Sequence, residues 1–232
     1  MIEFRDVAKR YGAQPVLDGL DFEARPGEVT LLVGANGCGK STTLRVATGL
    51  SPADRGTVRL AGHVLGRGRA ALDGMAYLPQ APRFHPRLTV AQVLRFYARL
   101  RDVPDGRRAM VARDWQLDAV RDVPCGRLSG GLRQRLALAV LLLPDAPLLL
   151  LDEPGLSLDP DWRRALQHAL HAAAGDGRTV LVATHLLGEW EDEVDRCLVL
   201  EGGRIGRTLA PDRLREAFPF ARPARARAGA AG

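Results

Sequence analysis

The stretch GANGCGKST at positions 34–42 constrains this chain more than any other part of it. It meets the pattern G-x-x-x-x-G-K-[ST] at every required position, in a chain with only two lysines, Lys9 and Lys40, among 33 basic residues. At the chain's own frequencies of these residue types, a chance match arises about once in a thousand such sequences. The flanks agree with the pattern. EVTLLV before it is a continuous apolar strand, and Lys40 to about Leu50 after it is expected to be a helix ended by Pro52. A strand that feeds a glycine loop and then a helix turns backbone amides and the positive end of the helix dipole toward an anion. The loop is therefore expected to hold the β-phosphate of a nucleotide, with Lys40 bridging the β- and γ-phosphates and Ser41 offering its hydroxyl to Mg²⁺. Gly34, Asn36, Gly37, Gly39 and Thr42 complete the cradle. Cys38 is read as a small filler beside the nucleotide.

Further strand-like runs lie at 2–7, 16–23, 57–61, 75–78, 147–151, 179–184 and 197–200. The runs at 28–33, 147–151 and 179–184 are unbroken Val/Leu stretches, as strands buried on both faces of a parallel sheet require. Those nearer the N-terminus alternate apolar with polar residues, the mark of an antiparallel sheet open on one face. Positions 84–143 carry no strand pattern. There TVAQVLRFYARL sets Val90, Val93, Leu94, Tyr97 and Leu100 on one helical stripe, and further helices follow. The expected architecture is an α/β core with a parallel sheet, an N-terminal antiparallel β subdomain and a helical subdomain inserted at about 84–143.

Two other segments carry chemistry. PLLLLDEP ends a buried strand on Asp152 and Glu153, placed where open α/β sheets bind ligands. Asp152 suits Mg²⁺, and Glu153 suits a water held for in-line attack on the γ-phosphate. CGRLSGGLRQRLALAVLLL at 125–143 is a second helix start rich in free amides, at Ser129, Gly130 and Gly131, running into a helix apolar all round. One chain thus carries two seats for phosphate.

With LSGG at 128–131 followed by RQRLALA, residues 1 to about 210 resemble the ATP-binding subunit of an ABC transporter, a P-loop NTPase. The resemblance implies a head-to-tail dimer in which the LSGG of one subunit closes on the γ-phosphate held by the other's loop. Each seat is then half a site. It further implies that Tyr11 of KRYG stacks on adenine and that Gln80 of YLPQ touches Mg²⁺ and the attacking water. Asp159 of SLDP communicates across the dimer, and His185 of VLVATH contacts the γ-phosphate and helps Glu153 hold its water. Two departures stand out: Leu132 replaces the usual Gln after LSGG, and Gly155 and Leu156 replace a Thr and a small or polar residue. All hydrolytic positions are kept, so a competent ATPase with ATP and Mg²⁺ is expected.

Composition narrows the partners. No apolar run approaches the roughly 20 residues of a bilayer span, so the coupled permease must be a separate membrane protein, and a peripheral place on the cytoplasmic face of the membrane is expected. The net charge of +6 comes from arginines interleaved with acids, and no specific nucleic-acid partner is expected. Cys38, Cys125 and Cys197 are odd in number and form no C-x-x-C pair, which argues against a zinc site and a disulfide framework. One cassette per chain disfavours the two-cassette translation proteins, and DNA-repair relatives would carry coiled coils or zinc modules between the halves. A regulatory nucleotide binder would lack Glu153 or His185. A homodimer is expected, with a second ATPase chain as the alternative. LPQAPRFHPRLTV followed by LRFYARLRDVP resembles the exporter-type ATPases, whose membrane partner docks near Gln80. The ATPase domain is expected over 1–220, followed by a basic, disordered tail at 221–232.

Overall fold

The computed structural model describes residues 1–66, 70–185, 190, 194–210 and 213. In chain order it forms β1 (Ile2–Tyr11), β2 (Gln14–Ala24), β3 (Val29–Val33), α1 (Lys40–Ala47), β4 (Arg55–Leu60), β5 (His63–Val64), α2 (Ala70–Asp73) and β6 (Met75–Leu78). There follow α3 (Val90–Leu100), α4 (Asp105–Asp114), α5 (Gly130–Leu142), β7 (Leu148–Asp152), α6 (Pro160–Gly175), β8 (Thr179–Thr184), β9 (Arg196–Glu201) and β10 (Arg204–Leu209).

Two sheets result. One is antiparallel, in the order β2-β1-β4-β5; the other runs β10-β9-β3-β8-β7-β6, parallel throughout except for β10. The apolar runs are unbroken in the parallel sheet because it is covered on both faces. Along β3, Val29, Leu31 and Val33 enter one core and Leu32 the other, and β7 and β8 divide their side chains in the same period of two. Each such side chain contributes about 1.5–3 kcal/mol by leaving water. The first core lies under α5, α6 and the helical lobe, and the second lies between α1 and the antiparallel sheet.

The lobe between β6 and β7 begins at α3, where Thr89 and Gln92 form a reciprocal cap. Its buried face comprises Val90, Val93, Leu94 and Ala98, with Tyr97 partly covered. The expected stripe is corrected at its end. Leu100, on the edge of the stripe in the last turn, is 62% exposed and faces a cleft instead of the core. Arg101 ties the end of α3 back to the sheet through the Met75 carbonyl at 3.3 Å.

Two other boundaries differ from expectation. Helix α1 stops at Ala47, not near Leu50, because Gly49 adopts a left-handed conformation (φ 71) and its N–H bonds the Val46 carbonyl. Pro52 lies beyond a helix that has already ended. Strand β10 carries Arg204 and Arg207 and shows no apolar pattern, yet it pairs with β9 because Gly202 and Gly203 (φ 55 and 79) supply the tight turn of a hairpin. The expected tail at 221–232 lies outside the described residues.

Candidate functional site

Three adjacent strands deliver the site. β8 lies between β3 and β7, with Val33 level with Thr184 and Ala183 level with Asp152. The chain therefore leaves the sheet at neighbouring points, through Gly34, His185 and Glu153. The loop after Gly34 packs closely. A Cβ on Gly34 would lie 2.4 Å from the Leu200 carbonyl oxygen and 2.6 Å from Cys38 Sγ.

Asn36, Gly37, Gly39, Lys40, Ser41 and Thr42 line one open cleft of about 390 Å³ with Tyr11, Val16, Gln80 and Glu153. Lys40 is 6% exposed, and its ammonium donates to the carbonyls of Gly34 (2.8 Å) and Ala35 (3.3 Å). It also lies 3.9 Å from Glu153 Oε1. Glu153 is 5% exposed and takes a left-handed backbone conformation (φ 49), which costs a non-glycine residue about 1–3 kcal/mol. Its N–H donates to the Ala183 carbonyl at 2.8 Å. Its carboxylate accepts from His185 Nδ1 at 2.8 Å and from the His185 backbone N–H at 3.4 Å. His185 itself lines a neighbouring groove with Gly34, Asn36 and Cys38.

Asp152 is almost fully buried, and Ser41 Oγ donates to its Oδ1 at 3.1 Å. Burial raises its carboxyl above the ordinary range; the Ser41 bond pulls it partly back, and the charge of Glu153 adds to the rise. Burial and the same Asp152 charge push Tyr77 up to about 12. A hydroxyl and a buried carboxylate beside the cleft form a hard oxygen set that fits Mg²⁺, whose charge would favour the ionised form of Asp152. Gln80 stands exposed at the edge of the same cleft. Among the described residues no cluster of three or more His, Cys, Asp or Glu is suited to a metal. A cation here would complete its shell with phosphate and water.

Tyr11 is 47% exposed, with its hydroxyl 3.3 Å from Ser51 Oγ, a bond that lowers its pKa. One face of its ring lies 5.6 Å from the ammonium of Lys9. Lys9, buried and paired with Asp54 at 2.9 Å, was not marked by any motif. Its signal was its rarity as one of two lysines.

Ser129 caps α5, its hydroxyl accepting from the Leu132 N–H at 3.2 Å, and Gly130 and Gly131 follow as the first helical residues. Ser129 and Gly131 open on a separate cavity of about 240 Å³ that includes Arg135, Asp159 and Trp162. Asp159 caps α6 by accepting from the Trp162 N–H at 3.0 Å. The cavity at Ser129 and the cleft at Lys40 share no lining residue. Sequence reasoning also passed over Gln134, a buried amide in α5 that donates to the Pro154 carbonyl at 2.8 Å. Its signal was a lone uncharged polar residue in a helix otherwise composed of Gly, Ala, Val, Leu and Arg.

A family profile described as ABC transporter matches residues 17–155. The Nod factor export ATP-binding protein I of Burkholderia orbicola (strain AU 1054) is 39% identical over 220 residues, covering 93% of this chain and 72% of that protein. A solved structure described as the ATP-binding subunit of an ABC transporter superposes with a TM-score of 0.86 at 29% identity, covering 95% of this chain and 94% of that one. A dimeric bacterial ABC transporter cassette, 22% identical over 91% of this chain and 99% of its own, shares the fold with a TM-score of 0.82.

Proposed function

Because this chain belongs to the ABC transporter family of ATP-binding subunits and is an ATPase of that family, we propose that it powers export by closing head to tail on a second copy around two ATP molecules. The observation that supports this reading is the separation of the two half-seats. The cradle at Lys40 and the signature seat at Ser129 open on cavities with no lining residue in common, as expected if each is completed by a second chain. A second, different ATPase chain would meet the same requirement.

The adenine of ATP stacks on Tyr11, and the phosphates lie along the amides from Gly34 to Thr42, including those of Asn36, Gly37 and Gly39. Lys40 exchanges its carbonyl partners for the β- and γ-phosphate oxygens. Ser41, Asp152 and Gln80 would hold Mg²⁺, which supplies charge neutralisation between those phosphates when bound. Glu153 accepts a hydrogen bond from the attacking water and takes its proton. His185, bonded to Glu153 through Nδ1, turns Nε2 to the γ-phosphate. Attack at the γ-phosphorus breaks its bond to the β–γ bridging oxygen. The partner's amides at Ser129, Gly130 and Gly131 cover the charge that develops, and Asp159 reports across the interface.

Among the described residues no helix is long and apolar enough to cross a membrane. In this reading the permease is a separate chain, and the subunit works on the cytoplasmic face of the membrane. The docking groove is the cleft of about 210 Å³ between the end of β6 and the lobe, lined by Tyr77, Pro79, Phe84, Tyr97 and Leu100. Export follows from the exporter-type segment around it and from the name of the relative in Burkholderia orbicola. The permease chooses the cargo. The ATPase domain spans 1–220 with its helical subdomain at about 84–143, and the tail at 221–232 is not needed for hydrolysis. Nucleic acid has no specific part in this cycle.

The test uses Ser41→Cys and Ser129→Cys in separately tagged chains, with Cys38→Ser to remove the accessible thiol. ATP-dependent crosslinks between the two chains are expected. Crosslinks formed only within one chain would defeat the two-chain site. Mixing Lys40→Ala with Gly130→Asp should restore activity that neither homodimer has, because subunit exchange gathers both defects in one site and leaves the other intact.

A further inference from the structure

Glu153 is the first residue beyond β7, and the left-handed turn it makes is bracketed by two hydrogen bonds. Its own N–H donates to the Ala183 carbonyl, and the next carbonyl, that of Pro154, accepts from Gln134 Nε2; each bond is 2.8 Å long. Proline has no N–H, so the carbonyl is the only polar handle on the residue that follows Glu153. Gln134 is 5% exposed in α5, a helix whose other buried residues are all Leu or Ala. On the same face, three and four positions earlier, the chain approaches the loop again. A Cβ on Gly131 would lie 3.2 Å from the Ser157 carbonyl oxygen, and one on Gly130 would lie 3.9 Å from Ser157 Cβ. The first turns of α5 thus lie along the segment from Pro154 to Ser157, and Gln134 donates a side-chain hydrogen bond to it.

We propose that Gln134 is a positioning residue for ATP hydrolysis. By holding the Pro154 carbonyl it keeps Glu153 in the turn from which its carboxylate meets His185 and the attacking water. It thereby ties that carboxylate to the helix whose start forms the signature seat. Without the amide donor, the Pro154 peptide rotates to find another partner, and Glu153 relaxes toward more populated backbone conformations. The proposal rests on the assignment of Glu153 as the residue that orients the water.

Gln134→Met keeps the length of the side chain and removes the donor. The expected result is a fall in kcat of about 10- to 100-fold, the scale on which small displacements of a reacting group act. The dissociation constant for ATP should stay within about two-fold, because no cradle residue is touched. Adding Gln134→Met to Glu153→Gln should cause no further loss, since the residue acts through the carboxylate already removed. An unchanged kcat in Gln134→Met overturns the proposal. So does an equal loss on the Glu153→Gln background, which would place the effect elsewhere. If Glu153→Gln itself hydrolyses ATP at the wild-type rate, the underlying assignment fails and the proposal fails with it. A normal Gln134→Met beside an inactive Glu153→Gln counts against Gln134 alone. Gln134→Leu serves as the second variant if Met does not fold. If both lose the melting transition and ATP binding together, Gln134 holds the fold and the positioning role is refuted.

Discussion

Replacing Glu153 by Gln removes one charge while preserving shape and the acceptor toward His185. The amide oxygen can still take the bond from Nδ1 that spans 2.8 Å in the native protein, which should keep the orientation of the side chain, while the longer bond from the His185 backbone N–H (3.4 Å) is lost because the amide nitrogen cannot accept it. Lys40 lies 3.9 Å away, a separation at which an ion pair is worth about 4 kcal/mol gross at an effective dielectric of about 20. Both groups are more than nine-tenths buried, so desolvation cancels much of that gain, and Lys40 keeps its two carbonyl partners. The fold should therefore melt within a few degrees of wild type. Hydrolysis should fall by about 10²–10⁴, or roughly 2.7–5.4 kcal/mol of barrier, because the water loses its proton acceptor. ATP affinity should hold or rise, since a negative charge has left the γ-phosphate's surroundings, and the dimer should be trapped with ATP. Phosphate release, nucleotide titration, gel filtration with ATP and a melting curve on one preparation separate these effects. Unchanged steady-state hydrolysis would refute the role of Glu153. A parallel loss of ATP binding would refute the separation of binding from chemistry.

Lys40→Ala should act on binding itself: losing charge-assisted bonds of about 1.5–3 kcal/mol weakens ATP about 10- to 100-fold, measurable by calorimetric titration. Asp152→Asn should raise the melting temperature at pH 7 while abolishing Mg²⁺-dependent hydrolysis. The Asp152 carboxyl sits above its unfolded value, so its contribution to stability is full below the unfolded range near 3.9 and is lost as pH rises through the folded value. The gain from Asn, about 2–4 °C per kcal/mol relieved, should thus shrink as pH falls through the folded value and vanish below about 4, and a lower melting temperature at pH 7 would contradict the burial account. Gly34→Ala pushes a methyl group to 2.4 Å from the Leu200 carbonyl oxygen and should destabilise the fold by about 1–3 kcal/mol in a denaturant titration, with ATP binding weakened as the loop shifts.

Much of this was determined by the sequence alone, because its signals are local. Glycine spacing and a rare lysine mark the proposed phosphate loop through the backbone conformations and charge they allow. Unbroken Val/Leu runs at β3, β7 and β8 announce strands covered on both faces, since an exposed face would have carried polar residues. Asp152 and Glu153 are legible as a pair for the same reason: they end such a run. Local reading failed where a partner strand or a turn decides. Strand β10 forms because a two-glycine hairpin folds it onto β9, and α1 ends where Gly49 turns left-handed rather than at Pro52. Only the tertiary structure decided the strand order β3-β8-β7, which carries His185 to within 2.8 Å of Glu153 across 32 positions of sequence. It alone set Lys9 beneath Tyr11 and Gln134 against Pro154, and it alone separated the cradle from the signature seat. The physical reason is range. Propensity and periodicity act over one or two turns of chain, whereas a buried hydrogen bond between distant residues exists only once the packed core has fixed where each of them stands.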